Sequence, residues 1–247
     1  MKNLNMLKQL VFSALLIAPT VYAAVTVDIN GNRRQFDANP RLHEVLAPVA
    51  LQSNWYWPAA ALYQLNSDQP EQLRQQLLQQ IAQLKQQNAA DSDFFTTMES
   101  LERQLASWRL AKRIAMPIDY DLARVRPEFN PRFDNGAYLL QLKQRPASVY
   151  LFGALSSEMT VTHRGAAAAA DYIISAQPTP LADVAELILL QPNGKVQAAG
   201  AAYWNHAHIE AMPGAQVFIP LQSQLFSSQL DILNKRLLEL ASHRVLP

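Results

Sequence analysis

The 247-residue chain contains no cysteine. Disulfide frameworks, thiolate metal sites and cysteine nucleophiles are therefore excluded. An oxidising compartment permits disulfides without requiring them, so the compartment is not decided by this absence. Glycine is scarce as well, with seven residues and no cluster among them, so no glycine-rich phosphate loop follows a strand. Neither G-x-S-x-G nor H-E-x-x-H occurs. An excess of charge is also missing, since 21 basic residues face 20 acidic ones. A near-neutral chain exerts no strong pull on nucleic acid. After residue 23 no apolar run approaches the roughly 20 residues of a transmembrane span.

What is present begins at the N-terminus. Lys2 and Lys8 form a positive segment, Leu10 to Ala18 an apolar run, and Val21-Tyr22-Ala23 places small residues where a signal peptidase cuts. The pattern predicts a secretory signal peptide over 1–23. No cysteine follows the cleavage point, so no lipid anchor is expected. Removal of the two lysines leaves 19 basic residues against 20 acidic, a net charge of -1.

The mature chain opens with alternating Val25 to Ile29, then Asn30-Gly31, then a second short extended run to Phe36, which reads as a β-hairpin. Trp55-Tyr56-Trp57-Pro58 is an aromatic knot, suited to plugging a core or to stacking on a carbohydrate. From Asp68 to Leu110 the composition turns to Gln, Leu and Glu. Leu73, Leu77, Ile81 and Leu84, then Phe94, Met98, Leu101, Leu105 and Trp108, recur at helical spacing on either side of a break at 88–91. This predicts an antiparallel helical hairpin, with Asp68 and Glu71 resembling a capping box. Strand-like segments return near 113–118 and 138–142, so the hairpin interrupts a β-rich first unit. Ser148 to Leu155, an alanine run from Ala166 to Ala170, Glu186 to Leu190, a turn at 192–195 and a last strand through 216–219 describe a second, β-grasp-like unit. The alanines predict a helix against that sheet. Leu230, Leu233, Leu237 and Leu240 mark a C-terminal amphipathic helix, and Ser228 with Asp231 a cap for it. That helix either docks on its own sheets or serves a partner. Lys235, Arg236 and Arg244 would suit an anionic surface.

Catalytic sets are weak. His206 and His208 flank Ala207 and, on a strand, would share a face with Glu210, but ordinary solvent-facing histidines are the simpler reading. Asp119, Asp121 and Glu128 could supply the carboxylates a glycosidase needs, or could be plain loop carboxylates. No metal or cofactor is called for.

Two segments carry a family resemblance. Asn54-Trp55-Tyr56-Trp57-Pro58-Ala59-Ala60 is similar to a Trp-Trp-Pro-Gly-Ala segment, with Tyr56 for a Trp and Ala59 for a Gly. Ala202-Tyr203-Trp204-Asn205-His206, followed by Pro213-Gly214-Ala215-Gln216-Val217, is similar to a Leu-Trp-Asn segment and a later Pro-Gly. Together they resemble the GfcC family of periplasmic proteins of capsule (group 4-type) and exopolysaccharide biosynthesis, over essentially the whole chain. The resemblance implies an α+β fold of two β-grasp-like domains, at 24–143 and 144–221. A helical hairpin at about 68–110 would be inserted in the first, and an amphipathic helix would occupy 222–247. It also implies a cleft arginine just after the hairpin, at Arg113, suited to a sugar carboxylate or phosphate. The expected ligand-binding residues are Arg113, Trp55, Trp57 and Asp119. The expected partner-binding residues are Leu230, Leu233, Leu237 and Leu240. The function expected is a periplasmic, non-enzymatic accessory in assembly or export of capsular or extracellular polysaccharide. Its partners would be the glycan or an outer-membrane polysaccharide export protein. A polysaccharide-modifying enzyme and a structural protein-protein module are the alternatives.

Overall fold

We describe residues 25–224 and 228–247 of a computed structural model of the chain. The expected signal peptide lies outside these residues. β1 (Val25–Ile29) and β2 (Asn32–Phe36) form the hairpin, and Asn30 and Gly31 both take positive φ. That is the turn geometry for which Asn-Gly is the preferred pair, because its twist matches the strands. Next come α1 (Leu42–Leu46), β3 (Ala61–Gln64), α2 (Gln69–Gln87), α3 (Ser92–Ser107), β4 (Lys112–Ile114), α4 (Tyr120–Val125) and β5 (Gly136–Gln141). The second half holds β6 (Ser148–Gly153), β7 (Met159–Thr162), α5 (Ala169–Tyr172), β8 (Glu186–Leu190), β9 (Val196–Gly200) and β10 (Gln216–Ile219). α6 (Gln229–Ser242) follows.

There are two five-stranded sheets, ordered β2-β1-β5-β3-β4 and β7-β6-β10-β8-β9. Each has one parallel pair at its centre, β1 with β5 and β6 with β10, and antiparallel pairs elsewhere. The halves thus repeat one strand order, and each is a mixed α and β unit.

Their cores differ. The first is built by Val25, Val27, Leu62 and Leu140 from the sheet and by Leu42, Val45 and Leu46 from α1. The second is larger. Val149, Leu151, Phe152, Val217 and Phe218 of its sheet meet the apolar faces of three helices, α2, α3 and α6. The helical pair expected to belong to the first unit therefore leaves that sheet, between β3 and β4, and covers the other. Two polar residues fix it there. Gln104, buried on α3, donates from Nε2 to Gly153 O (2.9 Å) and accepts from Gly153 N (3.0 Å) at the end of β6. Ser100 donates to Leu155 O (2.6 Å). Gly153 has φ +108°, and an added Cβ would meet Ile219 O at 2.2 Å, so the position excludes every other residue.

Several local expectations change. The C-terminal leucines assigned to a partner are 0–2% exposed and lie in the second core. Each fully buried leucine stabilises by about 1.5–3 kcal/mol, so this face is already occupied. Arg236 donates to Gln80 and Gln76 of α2 (2.7 Å each), and Arg244 pairs with Glu158 (2.6 Å), so neither is free for an anionic surface. The alanine run yields only the four residues of α5. Ala166 is left-handed, and Ala168 bridges to Glu210, so tertiary pairing overrides helix propensity. Neither Asp68 nor Ser228 caps through its side chain. Glu71 pairs with Arg74, and Asp231 accepts from Ser223 (2.6 Å).

Candidate functional site: a groove between the two halves

β4 is an edge strand, and its free side faces the second half. Its residue Arg113 pairs in register with Tyr63 of β3. The Arg113 amide donates to His243 Nδ1 (3.1 Å), just past α6, and one guanidinium N–H donates to Pro192 O at the β8–β9 turn. Arg113 thus touches the second half and the C-terminal segment at once.

Outside it opens a depression of about 450 Å³, lined by Arg113, Lys195 and His243 with Met116 and Pro117. A further depression of about 230 Å³ shares Met116, Pro117 and Asn193 with the first, and runs on to Trp57 and Asp119. The two form one groove, cationic at one end and aromatic at the other. Asp119 is the one carboxylate lining it among the described residues. Its Oδ1 caps α4 by accepting from Leu122 N (2.9 Å), which leaves it partly committed. On the inner side, Arg113, Lys143 and Arg244 line a cavity of only about 30 Å³ between the halves. That space suits water, not a sugar.

Electrostatics at the cationic end are consistent. Burial lowers the His243 pKa below the ordinary histidine value. Glu239 opposes this, while Lys112 and Arg113 act with it. His243 Nδ1 accepts the Arg113 amide. Burial also lowers the Lys143 pKa. In the wall behind, Arg244 lies over the Trp108 ring (4.2 Å) and pairs with Glu158, whose other oxygen accepts from Trp108 Nε1.

Of the four residues expected to bind a ligand, Arg113, Trp57 and Asp119 surround this groove. Trp55 does not. Its Nε1 donates to Val49 O (2.8 Å), and its ring packs on the first core. Lys195 and His243 join the site without having been singled out, since only the fold brings a β-turn and the end of α6 beside β4. Asp121 and Glu128 do not line the groove, and Glu128 lies 3.9 Å from Arg126. A flanking carboxylate pair is therefore not assembled here. His206 and His208 lie in a loop, not on a strand, and His208 sits 3.4 Å from Glu210. Among the described residues no group of three or more His, Asp or Glu is placed to hold a metal ion. No helix among them is long and apolar enough to cross a membrane.

Comparison with known proteins adds to this geometry. Residues 22–145 match the family model described as capsule biosynthesis GfcC, N-terminal. Residues 157–246 match the model described as capsule biosynthesis GfcC C-terminal. The chain is also 28% identical over 247 residues to the uncharacterized protein YjbG of Escherichia coli strain K12, covering 97% of this chain and 99% of that protein.

Proposed function

The chain belongs to the GfcC capsule-biosynthesis family, and from that premise we propose that it is a periplasmic accessory of polysaccharide assembly or export that holds the glycan without turning it over. The observation that carries this reading is the groove, whose one end is lined by Arg113 and Lys195 and by no carboxylate. A guanidinium fork is matched to a planar carboxylate or to phosphate oxygens. At the far end Trp57 offers a ring to a sugar face, and Asp119 a hydrogen-bond acceptor. The repeated strand order, with a parallel central pair, supports the β-grasp description of both halves. The bond from Arg74, near the start of α2, to Trp108 O (2.9 Å), just past α3, supports reading the pair as a hairpin. The signal-peptide pattern and the family together support the periplasmic location.

The test is a titration of the mature protein with fragments of the host's own extracellular polysaccharide, alongside Arg113→Ala, with products followed by mass spectrometry. Saturable binding that weakens in the variant, with no product, supports the reading. A new product moves the protein among the polysaccharide-modifying enzymes. No binding and no product points to a protein partner instead.

A further inference from the structure

β9 ends at Gly200, and the chain then makes a tight turn that carries Tyr203 and Trp204. These two neighbouring aromatic residues are 99% and 80% exposed. The turn is held in place. Asn205 Nδ2 donates to Ala185 O (2.9 Å), and Asn205 Oδ1 accepts from Ala202 N (3.0 Å). Ala201 N donates to Ala185 O (2.8 Å), and Ala207 N to Gly200 O (3.1 Å). Gly200 lies so close that an added Cβ would meet Asn205 O at 1.9 Å. The backbone beneath the two rings is thus a fixed support, so the ordering cost on binding falls on the two side chains alone.

The surroundings decide what they meet. Two aromatic side chains offer roughly 300–500 Å², below the roughly 800 Å² per partner of a stable protein interface. From Asp183 to Glu210 the only Lys or Arg is Lys195, at the opposite end of the β8–β9 hairpin. The depression next to the turn is lined by Asp183, Glu186 and Asp231 against Lys235 alone. That balance does not attract anionic lipid headgroups or acidic sugars. His206 and His208 are exposed in the same loop and supply hydrogen-bonding groups. An uncharged pyranose has C–H groups on its faces for an aromatic ring and hydroxyls on its edge for such polar neighbours.

We propose that Tyr203 and Trp204 form a second glycan contact, specific for uncharged sugar units of the polymer whose acidic units occupy the groove. This rests on the glycan-binding reading above. The same two strands carry both sites. Pro192 to Lys195 at one end form part of the groove, and the aromatic turn stands at the other, roughly 20 Å away at strand rise. A long chain spanning both sites gains avidity that a short fragment does not.

The experiment compares the mature wild type, Arg113→Ala, Tyr203→Ala/Trp204→Ala and Trp204→Phe. The probes are the intact host extracellular polysaccharide and its short acidic fragments, separated by anion exchange. Iodide quenching of tryptophan fluorescence, taken as the difference between wild type and Trp204→Phe, isolates the exposed Trp204 from Trp57 of the groove. The double variant is expected to lose affinity for the intact polymer by roughly tenfold or more while keeping its affinity for short acidic fragments. Trp204→Phe should restore most of the loss. Bound polymer should protect this Trp204 component from iodide, and the protection should survive at 0.5 M salt in part, because stacking is not screened. Unchanged polymer affinity in the double variant, with a loss in Arg113→Ala, overturns the aromatic contact and leaves the groove standing. Absence of any polymer binding in the wild type removes both.

Discussion

Between β3 and β4 the chain spends 47 residues, whereas between β8 and β9, the corresponding strands of the second sheet, it spends five. Between the fourth and last strands of each sheet, the first half inserts α4 and the second the Tyr203–Trp204 turn. The strand orders are otherwise the same. The long insertion does not thicken the half that contains it. Its apolar faces complete the core of the other half, together with α6. Where a segment enters the chain and where it contributes stability are thus separate matters. The groove lies on the seam that this arrangement creates.

The sharpest way to break the comparison is at the two hairpin-end glycines. Gly153→Val should cost more than about 4 kcal/mol, by steric overlap with Ile219 O and the Phe218 ring on top of an unfavourable φ. Gly31→Ala in the first half has open space around it and should cost only about 1 kcal/mol. Urea denaturation of the two variants measures the contrast. Near-equal losses would mean that the β6 end is not packed as described.

Next in size, Leu237→Ala should cost about 2–5 kcal/mol. Amide exchange should accelerate in β6, β10, α2 and α3 well before β1 and β5. Uniform acceleration would place the helices in one shared core. Gln104→Ala strips two partners from Gly153 and should cost about 1–3 kcal/mol, read by thermal melting, with the local exchange effect confined to the same elements.

A smaller effect tests the seam. The folded His243 pKa is depressed below the ordinary value of about 6.5. A depressed pKa means the stabilisation is fully present above pH 6.5 and is lost as pH falls through the folded value. Melting between pH 7.5 and 5 should therefore show a decline that His243→Asn reduces. The smallest effect expected is from Arg236→Ala, whose bonds to Gln76, exposed, and Gln80, half-buried, should contribute no more than about 1 kcal/mol.

Much of this fold is legible in the sequence because it is local. Asn30-Gly31 between short extended runs dictates its hairpin, and leucine spacing dictates α2, α3 and α6. What α2 and α3 cover is not legible, since an apolar face states that it is buried and not against which sheet. Ala166 to Ala170 misleads because its strand-like contacts with 209–210 come from far along the chain. The groove is legible in part. Arg113 is found through family resemblance, and Trp57 and Asp119 by residue type. Lys195 and His243 carry no sequence signal, because their relevance comes only from a seam between distant segments.

That seam also has a kinetic meaning. The Arg113 amide and His243 are 130 residues apart, and Tyr63 Oη reaches Arg244 O (2.9 Å) across 181 residues. Contacts of such separation carry the largest loop-closure cost and form late in folding. Each sheet can assemble its hairpins early, but the cationic end of the groove is among the last features to mature. A chain that has formed both sheets but not yet docked residues 243–246 is nearly folded in spectroscopic terms, yet lacks the His243 wall of the groove.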